Sequence, residues 1–273
     1  MPTLFLVGTP IGNLEDISLR ALRILGEVNL VAAEDTRVSG RLLKRYEIDT
    51  PMVSYHEHSN KGRIAEIVDA LTQSDVALIS DAGMPGLSDP GYRLVQAAIQ
   101  AGVVIVPVPG PSAVIAALVA SGLPTDKYLF LGFLPRQKKA RQAALSELIS
   151  LPYTLVFYEA PHRLLALLSD VEGALGDRQV SIGRELTKLH EEIWRGSVGA
   201  AREYFGRSKI RGELVLVVAG ADVAKSRWDE TAVMAAFALE LDKGVGRKAA
   251  AAAISVQSGW RKREVYDLTL PGK

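Results

Sequence analysis

Short apolar runs alternate with amphipathic segments along the first 120 residues of the chain. Residues 18–25 carry leucines at helical spacing, and residues 64–71 repeat this pattern with isoleucine, valine and leucine. Asp89, which precedes a proline, predicts the start of another helix, because Asp is a good N-cap and Pro suits the first helical position. The apolar runs themselves predict strands at residues 4–7, 30–33, 76–79 and 103–108.

This alternation of strands and helices predicts an α/β fold with a parallel sheet covered on both faces. We therefore predict an N-terminal parallel-sheet domain over residues 1–120, followed by a linker at 121–127 that contains glycine and proline. Strands outnumber helices in the next stretch, so a second domain with a mixed sheet is predicted over residues 121–222. Its predicted strands are 128–133, 154–158, 179–184, 191–195 and 213–219, and its predicted helices lie near 138–149, 162–168 and 198–205.

The pattern changes again after Gly220, where three helical segments follow one another. They are predicted at residues 229–241, 248–256 and 260–270. This stretch is also basic, because residues 243–273 hold seven Lys or Arg and two Asp or Glu, a net charge of +5, whereas the whole chain carries +1. We interpret residues 223–273 as a small basic helical domain, which suggests a polyanionic partner.

Composition excludes several classes of site. The chain has no cysteine, so disulfides and thiolate-bound metals are excluded. Two of the four histidines, His56 and His58, flank Glu57, but no further ligand cluster lies nearby at metal spacing, and we interpret them as solvated loop residues with no metal. The N-terminus does not resemble a signal peptide, and no run approaches the roughly 20 apolar residues of a membrane span. We expect a soluble cytoplasmic protein without a membrane partner.

Three loops rich in glycine and proline follow predicted strands of the first domain. They are the first loop (residues 8–13), the middle loop (80–91) and the last loop (109–113). In an open parallel sheet such loops gather at the carboxyl edge, where ligands bind. The first loop is not GxGxxG and the chain has no GxxxxGK[ST], so nucleotide phosphate loops are weak alternatives.

The sequences of these loops resemble the motifs of a known family. The middle loop reads SDAGMPGLSDPG, the first loop lies within LVGTPIGNL, and the last loop reads PGPSA. Further matches are EDTR at 34–37, YEAPHR at 158–163, RELTK at 184–188 and RGE at 211–213. Together they cover about residues 4 to 220 and resemble a ribosomal RNA subfamily of the tetrapyrrole methylase-like (class III) methyltransferases, which depend on S-adenosylmethionine.

The resemblance implies both a fold and an activity. It implies two α/β domains with S-adenosylmethionine in the cleft between them, and usually a homodimer. It also implies methylation of the ribose 2′-hydroxyl of a decoding-region cytidine in small-subunit (16S) ribosomal RNA, free or in the assembled small subunit. Carried over by position, the cofactor-binding residues are Pro10, Asp81, Gly83, Met84, Ser112, Ala113, Tyr158 and Gly212.

Methyl transfer to a sugar hydroxyl benefits from a general base within hydrogen-bond reach of that hydroxyl. The sequence leaves four candidate catalytic residues open: Asp35, Glu159, Glu185 and Lys188. Structural ion pairs are the alternative for Asp35 with Arg37 and for Glu185 with Lys188. The candidate RNA-binding residues are Arg37, Arg136, Lys138, Lys139, Arg261, Lys262 and Arg263; a solvated helix start is the alternative for the cationic stretch 136–141.

Two other functions remain open from the sequence. A methylase of tetrapyrrole carbons or nitrogens would need a roomy apolar cleft and no basic tail, so the cationic stretches count against it. A ribosomal or RNA-binding factor that has lost catalysis would show damaged cofactor loops, and the three loops here look intact.

Overall fold

The computed structural model describes residues 2–222 and 228–270. The first five strands form one sheet in the order β3-β2-β4-β1-β5, and every neighbouring pair in it is parallel. The predicted parallel sheet is therefore confirmed. The strands are β1 (Thr3–Val7), β2 (Leu30–Ala33), β3 (Met52–Ser54), β4 (Val76–Ile79) and β5 (Val104–Val108).

Helices cover both faces of this first sheet. Alternate residues of β4 point to opposite faces, so Val76 and Leu78 belong to one buried cluster and Ala77 and Ile79 to the other. This double burial explains why the central strands read as continuous apolar runs. Two of the helices, α1 (Leu19–Glu27) and α2 (Thr36–Arg45), pack on one face, and α3 (Lys61–Ala70) and α4 (Tyr92–Gln100) pack on the other.

The second sheet is mixed, as predicted. Its order is β6-β7-β10-β8-β9, in which β6 and β7 are parallel and the other neighbours are antiparallel. The strands are β6 (Tyr128–Phe133), β7 (Thr154–Glu159), β8 (Gln179–Arg184), β9 (Glu192–Ser197) and β10 (Leu214–Val218).

Two different sets of helices cover the second sheet. On one face, Leu155 and Phe157 of β7 pack in a cluster with α6 (Lys138–Ser146), α7 (Leu164–Leu175) and α8 (Val198–Gly206). On the other face, Val156 packs with Val114, Ala117 and Leu118 of α5 (Ala113–Ala120). Thus α5 precedes residue 121, where the sequence places the boundary between the first two domains, yet its buried side packs on the second sheet.

The C-terminal helices form a cluster of their own. The Trp260 indole N–H donates to the Trp228 carbonyl at 2.6 Å. The buried members of the cluster are Val233, Phe237, Ala250, Ala251, Ile254 and Val265. The predicted start of the third domain, residue 223, lies outside the described residues. The helices are α9 (Glu230–Asp242), α10 (Arg247–Ser258) and α11 (Lys262–Leu268).

One predicted helix start is wrong. Asp89 is not an N-cap, because α4 begins at Tyr92 and Gly91 is its N-cap. The chain makes a tight turn first: the Gly86 N–H donates to the Pro90 carbonyl at 3.2 Å, and a Cβ added to Gly91 would lie 2.9 Å from the Gly86 nitrogen. Because of this turn, Asp89 lies in the middle loop and is not part of α4.

Candidate active site

A cleft of about 350 Å³ lies where the carboxyl edge of the first sheet meets the second sheet. The middle and last loops line one side of it. The ends of β6 and β7 and the segment before β10 line the other. Glycine at three of the lining positions leaves backbone open to a ligand. The lining residues include Gly83, Met84, Ser88, Asp89, Ser112, Ala113, Phe133, Tyr158, Glu159, Gly212 and Glu213.

The first and middle loops are joined by backbone hydrogen bonds. The Thr9 N–H donates to the Gly83 carbonyl at 2.9 Å, and the Gly83 N–H returns the bond at 3.0 Å. The buried Thr9 hydroxyl donates to the Ser80 carbonyl at 3.0 Å. Gly83 has a φ of +82°, a conformation that favours glycine. These bonds hold the two loops as one unit at the sheet edge.

The first and last loops approach each other even more closely. The Gly8 N–H donates to the Val108 carbonyl at 3.1 Å. A Cβ added to Gly8 would lie 2.7 Å from the Gly110 Cα, and one added to Gly110 would lie 2.8 Å from the Gly8 Cα. Both positions therefore need glycine for packing, and the three loops form a continuous wall.

Most of the sequence-predicted cofactor residues lie along the cleft. Pro10 and Asp81 are not among the lining residues. Pro10 directly follows the Thr9 bridge, and the Asp81 carboxylate accepts a hydrogen bond from the Asp35 N–H at 3.1 Å. The structure brings Gly83, Met84, Ser112, Ala113, Tyr158 and Gly212 together around one space.

Tyr158 brings an aromatic cluster to the cleft. Its ring centroid lies 5.0 Å from that of Phe130 and 5.5 Å from that of Phe133. Burial raises the pKa of the Tyr158 hydroxyl, and the carboxylates of Asp89 and Glu213 act in the same direction. Tyr158 is therefore a neutral hydroxyl that can donate a hydrogen bond within the cleft.

Asp35 is held by an ion pair at the sheet edge. Its carboxylate accepts from Arg37 Nη2 at 2.6 Å and from the Arg37 backbone N–H at 2.8 Å, so it caps α2. The hydrogen bonds from the Arg37 side chain hold the pKa of Asp35 below its usual range. A carboxylate with a lowered pKa is a weak base, and Asp35 is not among the residues that line the cleft.

Glu185 and Lys188 also form an ion pair. The Glu185 carboxylate accepts from Lys188 Nζ at 2.9 Å and from the Glu213 N–H at 2.9 Å. Lys188 Nζ also lies 3.1 Å from the Glu213 carboxylate. The Lys188 hydrogen bond lowers the pKa of Glu185. These contacts support the structural alternative for this pair, which joins the segment after β8 to the segment before β10.

Glu159 is the candidate base that reaches the cleft. Its side chain is buried, with Oε1 accepting from the Ala160 N–H at 2.8 Å and lying 3.1 Å from Arg163 Nε. Within the described residues, Oε2 has no hydrogen-bond partner. Burial raises the pKa of Glu159. An unsatisfied buried acceptor beside a cleft is a position for a donor group of a ligand.

Asp89 also lines the cleft, and the sequence reasoning missed it as a site residue. Burial raises its pKa to about 6, and the charges of Glu34 and Asp81 add to that effect. Its place in the loop motif was the available signal, but the Asp-Pro pair indicated a helix start instead. Asp89 is thus a cleft carboxyl whose protonation changes near neutral pH.

The candidate RNA-binding residues of the second domain are on the surface. Arg136, Lys138 and Lys139 are exposed and closely follow Phe133, a residue of the cleft. Arg141, the fourth cation of this stretch, is buried and donates from Nε to Asp170 at 2.8 Å. Arg141 therefore joins α6 to α7 and is not available to a phosphate.

The remaining candidate RNA-binding residues are exposed as well. Arg37 extends into solvent at the edge of the first sheet. Arg261, Lys262 and Arg263 are exposed at the start of α11, where Arg263 Nε lies 3.7 Å from Asp267. Their positions are compatible with phosphate contacts.

Neither a metal centre nor a membrane span is found in the part of the chain that the structure describes. The rings of His56 and His58 are 6.5 Å apart, and no three His, Asp or Glu side chains of the described residues are grouped to hold a metal ion. Across residues 2–222 and 228–270, no helix is long and apolar enough to cross a membrane.

Two α/β units with a ligand cleft between them, walled by three strand-end loops, define a two-domain α/β enzyme class. The family model "Tetrapyrrole (Corrin/Porphyrin) Methylases" matches residues 3–202, and the chain belongs to this family. The family expected from the loop motifs is thereby confirmed.

Relatives and a solved structure support the same conclusion. The chain is 44% identical to "Ribosomal RNA small subunit methyltransferase I" of Halalkalibacterium halodurans, over 97% of this chain and 94% of the relative. It is 43% identical to the protein of the same name from Synechocystis, over 99% of this chain and 98% of the relative. The crystal structure of uroporphyrin-III-C-methyltransferase from Thermus thermophilus superposes with a TM-score of 0.56 at 20% identity, covering 80% of this chain and 94% of that one, which shows the shared fold.

Proposed function

We propose that the protein transfers a methyl group from S-adenosylmethionine to the ribose 2′-hydroxyl of a cytidine in the decoding region of small-subunit (16S) ribosomal RNA. The relatives named as ribosomal RNA small subunit methyltransferases, similar over almost the whole chain, support the reaction and the RNA class. The choice of the ribose oxygen of a cytidine rests on the motif resemblance of the first, middle and last loops.

The observation that carries the proposal is the cleft itself. Its volume of about 350 Å³ lies within the range of small-molecule sites, roughly 300–1,000 Å³. Its walls combine apolar side chains such as Ile11, Met84 and Leu186 with backbone of the glycine positions. Glu159 Oε2, which has no hydrogen-bond partner among the residues that the structure describes, provides an acceptor for an amine or hydroxyl donor. These walls and this acceptor fit a cofactor that has a flat aromatic base, a ribose and an amino acid group.

We propose that S-adenosylmethionine is held by the backbone and side chains of the three loops and by Tyr158 and Gly212 of the second domain. When bound, it supplies a methyl group on a cationic sulfur that is already reactive. The protein's own residues then have three tasks: to align the hydroxyl with that methyl group, to exclude water and to accept the hydroxyl proton. Asp81, next to the wall, acts as an acceptor for cofactor donors.

The RNA contacts are proposed at three exposed groups of cations. Arg37 lies near the first-sheet edge, Arg136, Lys138 and Lys139 follow a cleft strand, and the C-terminal helices add Arg261, Lys262 and Arg263. Contacts with several phosphates release counterions, so binding weakens steeply as salt rises. A ribose that enters a cleft between domains must belong to a locally exposed nucleotide. We therefore propose that the substrate is the assembled or nearly assembled small subunit in the cytoplasm. From the family resemblance, we also propose that the protein acts as a homodimer.

Digestion of labelled RNA with alkali tests this proposal. Small subunits lacking the modification are incubated with the enzyme and methyl-labelled S-adenosylmethionine, and large subunits serve as the control. Alkaline cleavage needs a free 2′-hydroxyl, so a ribose methyl group protects the adjacent phosphodiester. We expect label in alkali-resistant dinucleotides from small subunits alone. Label found only in mononucleotides places the methyl group on a base and contradicts the proposal.

A further inference from the structure

Among the three carboxylates that line the cleft in the described residues, Asp89 is the one without a salt bridge. Asp35 is paired with Arg37, Glu159 with Arg163, and both Glu185 and Glu213 with Lys188. Within the described residues, no Lys or Arg forms a salt bridge with Asp89. An ion pair favours the ionised form of a carboxylate, so the charge of Arg163 opposes the effect of burial on Glu159. No Lys or Arg among the described residues opposes the effect of burial on Asp89, which makes Asp89 the cleft carboxylate that we favour as a proton acceptor.

The middle loop is built to present Asp89 rigidly. Ser88, the residue before it, has a φ of +63°, a conformation that a serine adopts only when its surroundings impose it. A Cβ added to Gly132 of β6 would lie 3.2 Å from the Ser88 hydroxyl oxygen, so the second domain packs directly on this residue. On the other side of Asp89, the Gly86 to Pro90 hydrogen bond closes the turn. Asp89 therefore lies between two constrained positions, in the cleft that Tyr158 and Phe133 also line.

Charged groups on several elements surround Asp89. Glu34 follows β2 and Asp81 follows β4, and both carboxylates repel the ionised form of Asp89. The Ser80 hydroxyl acts in the opposite direction by stabilising that form. Across the cleft, Glu159 and Glu213 are further carboxylates, and Tyr158 is a neutral hydroxyl. Arg37, the cation on this edge, is taken up by Asp35.

We infer that Asp89 is the general base that accepts the proton of the ribose 2′-hydroxyl during methyl transfer, an inference that rests on the proposed function. The hydroxyl oxygen forms a bond to the methyl carbon with its own electron pair. The sulfur–methyl bond breaks and leaves its electron pair on sulfur, and the O–H bond breaks as the proton moves to an Asp89 carboxylate oxygen. Asp89 later loses this proton to water, which restores the ionised carboxylate.

The protonation of Asp89 suits this task. Its pKa of about 6 leaves the carboxylate mostly ionised at pH 7 and more basic than an ordinary Asp. A base of this kind makes activity fall as pH decreases through about 6, because the protonated form accepts no further proton.

Kinetics of Asp89→Asn on small subunits test the inference, with the surface change Asp69→Asn as a control of the same chemistry. Loss of a general base lowers rates by about 10²–10⁴-fold, so we expect that fall in kcat. The calorimetric affinity for S-adenosylhomocysteine and the KM for subunits should stay within about threefold of the wild-type values. The acid limb of the kcat/KM profile should disappear from the residual activity of Asp89→Asn and remain in Asp69→Asn.

Thermal unfolding supplies a second measurement that does not depend on activity. The folded protein prefers the protonated form of Asp89, because its pKa in the folded state lies above the usual Asp value. At pH 7.5 the Asn variant removes this unfavourable charge and should have a higher Tm than the wild type. The difference should shrink as pH falls from about 6 to about 4, where Asp89 becomes protonated in both the folded and unfolded states.

The outcomes separate the base from the proposed function. Wild-type enzyme that places no alkali-resistant label in RNA defeats the proposed function and, with it, the inference. If the wild type does label ribose, the inference about Asp89 is overturned by any of three results. These are a kcat for Asp89→Asn within threefold of wild type, a loss of S-adenosylhomocysteine binding in that variant, or an acid limb that disappears in Glu159→Gln and persists in Asp89→Asn.

Discussion

At the scale of single residues, the contact between Gly8 and Gly110 determines whether the cleft can form. Each glycine lies against the other's backbone, which cannot move aside as a flexible side chain can. The wall of the cleft therefore depends on glycine at two positions, one after β1 and the other after β5.

A methyl group at Gly110 should disturb this wall. We expect Gly110→Ala to cost about 1–3 kcal/mol through overpacking, measured as a lower Tm together with weaker binding of S-adenosylhomocysteine by calorimetry. Gly26→Ala is the matched control, because Gly26 lies in α1 with nothing within 4 Å of an added Cβ. That change should stabilise the protein by about 0.5–1 kcal/mol. Unchanged cofactor affinity in Gly110→Ala contradicts the role given to this contact.

Individual residues also show where reasoning from sequence stopped. The loops were predictable because glycine and proline follow each apolar strand. The position of Asp89 in the cleft was not predictable, because local capping preferences favour a helix start at this residue. In the structure, Gly91 packs against Gly86 and α4 begins only at Tyr92. The sequence also did not predict that Arg141 pairs with Asp170, because Asp170 lies 29 residues further along the chain.

At the scale of elements, the start of α6 combines two kinds of cation. Lys138 and Lys139 are exposed, whereas Arg141 and Asp170 form a buried pair between α6 and α7 with side chains 7% and 5% exposed. Sequence alone treats them as one basic cluster, whereas burial divides them into an exposed part, for which we propose RNA contacts, and a buried structural part.

Substitutions in this cluster should separate the two roles. Arg141→Ala leaves Asp170 buried without its ionic partner, and we expect it to lower the free energy of unfolding by about 3–5 kcal/mol in denaturant titrations. Lys138→Ala and Lys139→Ala should change that free energy by no more than about 0.5 kcal/mol. In the lysine variants, binding to small subunits should weaken and its dependence on salt should become less steep. Equal destabilisation by all three changes is incompatible with this division.

At the scale of the whole molecule, the buried clusters are separate, and this separation predicts how the protein responds to truncation. The buried clusters of the two sheets lie between Leu4 and Val218, and the cluster of α9, α10 and α11 is separate from them. The sequence predicted this C-terminal unit from its helical periodicity and basic charge. It could not predict that α5 packs on the second sheet, because periodicity does not specify which of two sheets a helix covers.

A protein ending at residue 222 should therefore keep its fold and its cofactor site. We expect its Tm and its calorimetric affinity for S-adenosylhomocysteine to stay close to those of the full chain. Its methylation of small subunits should fall strongly, because Arg261, Lys262 and Arg263 are removed. Full methylation by the shortened protein means that the C-terminal helices do not bind the substrate.

The packing of α5 on the second sheet has a further consequence, for ligand exchange. Because α5 packs on the second sheet, a rotation between the two sheets would have to bend the few residues between β5 and α5. Those residues are the last loop, which contains two prolines with restricted φ and ends in the cleft at Ser112 and Ala113. This segment is thus part of the wall of the cleft, and a ligand held against it would oppose its bending. We therefore expect release of a bound ligand to require this segment to bend.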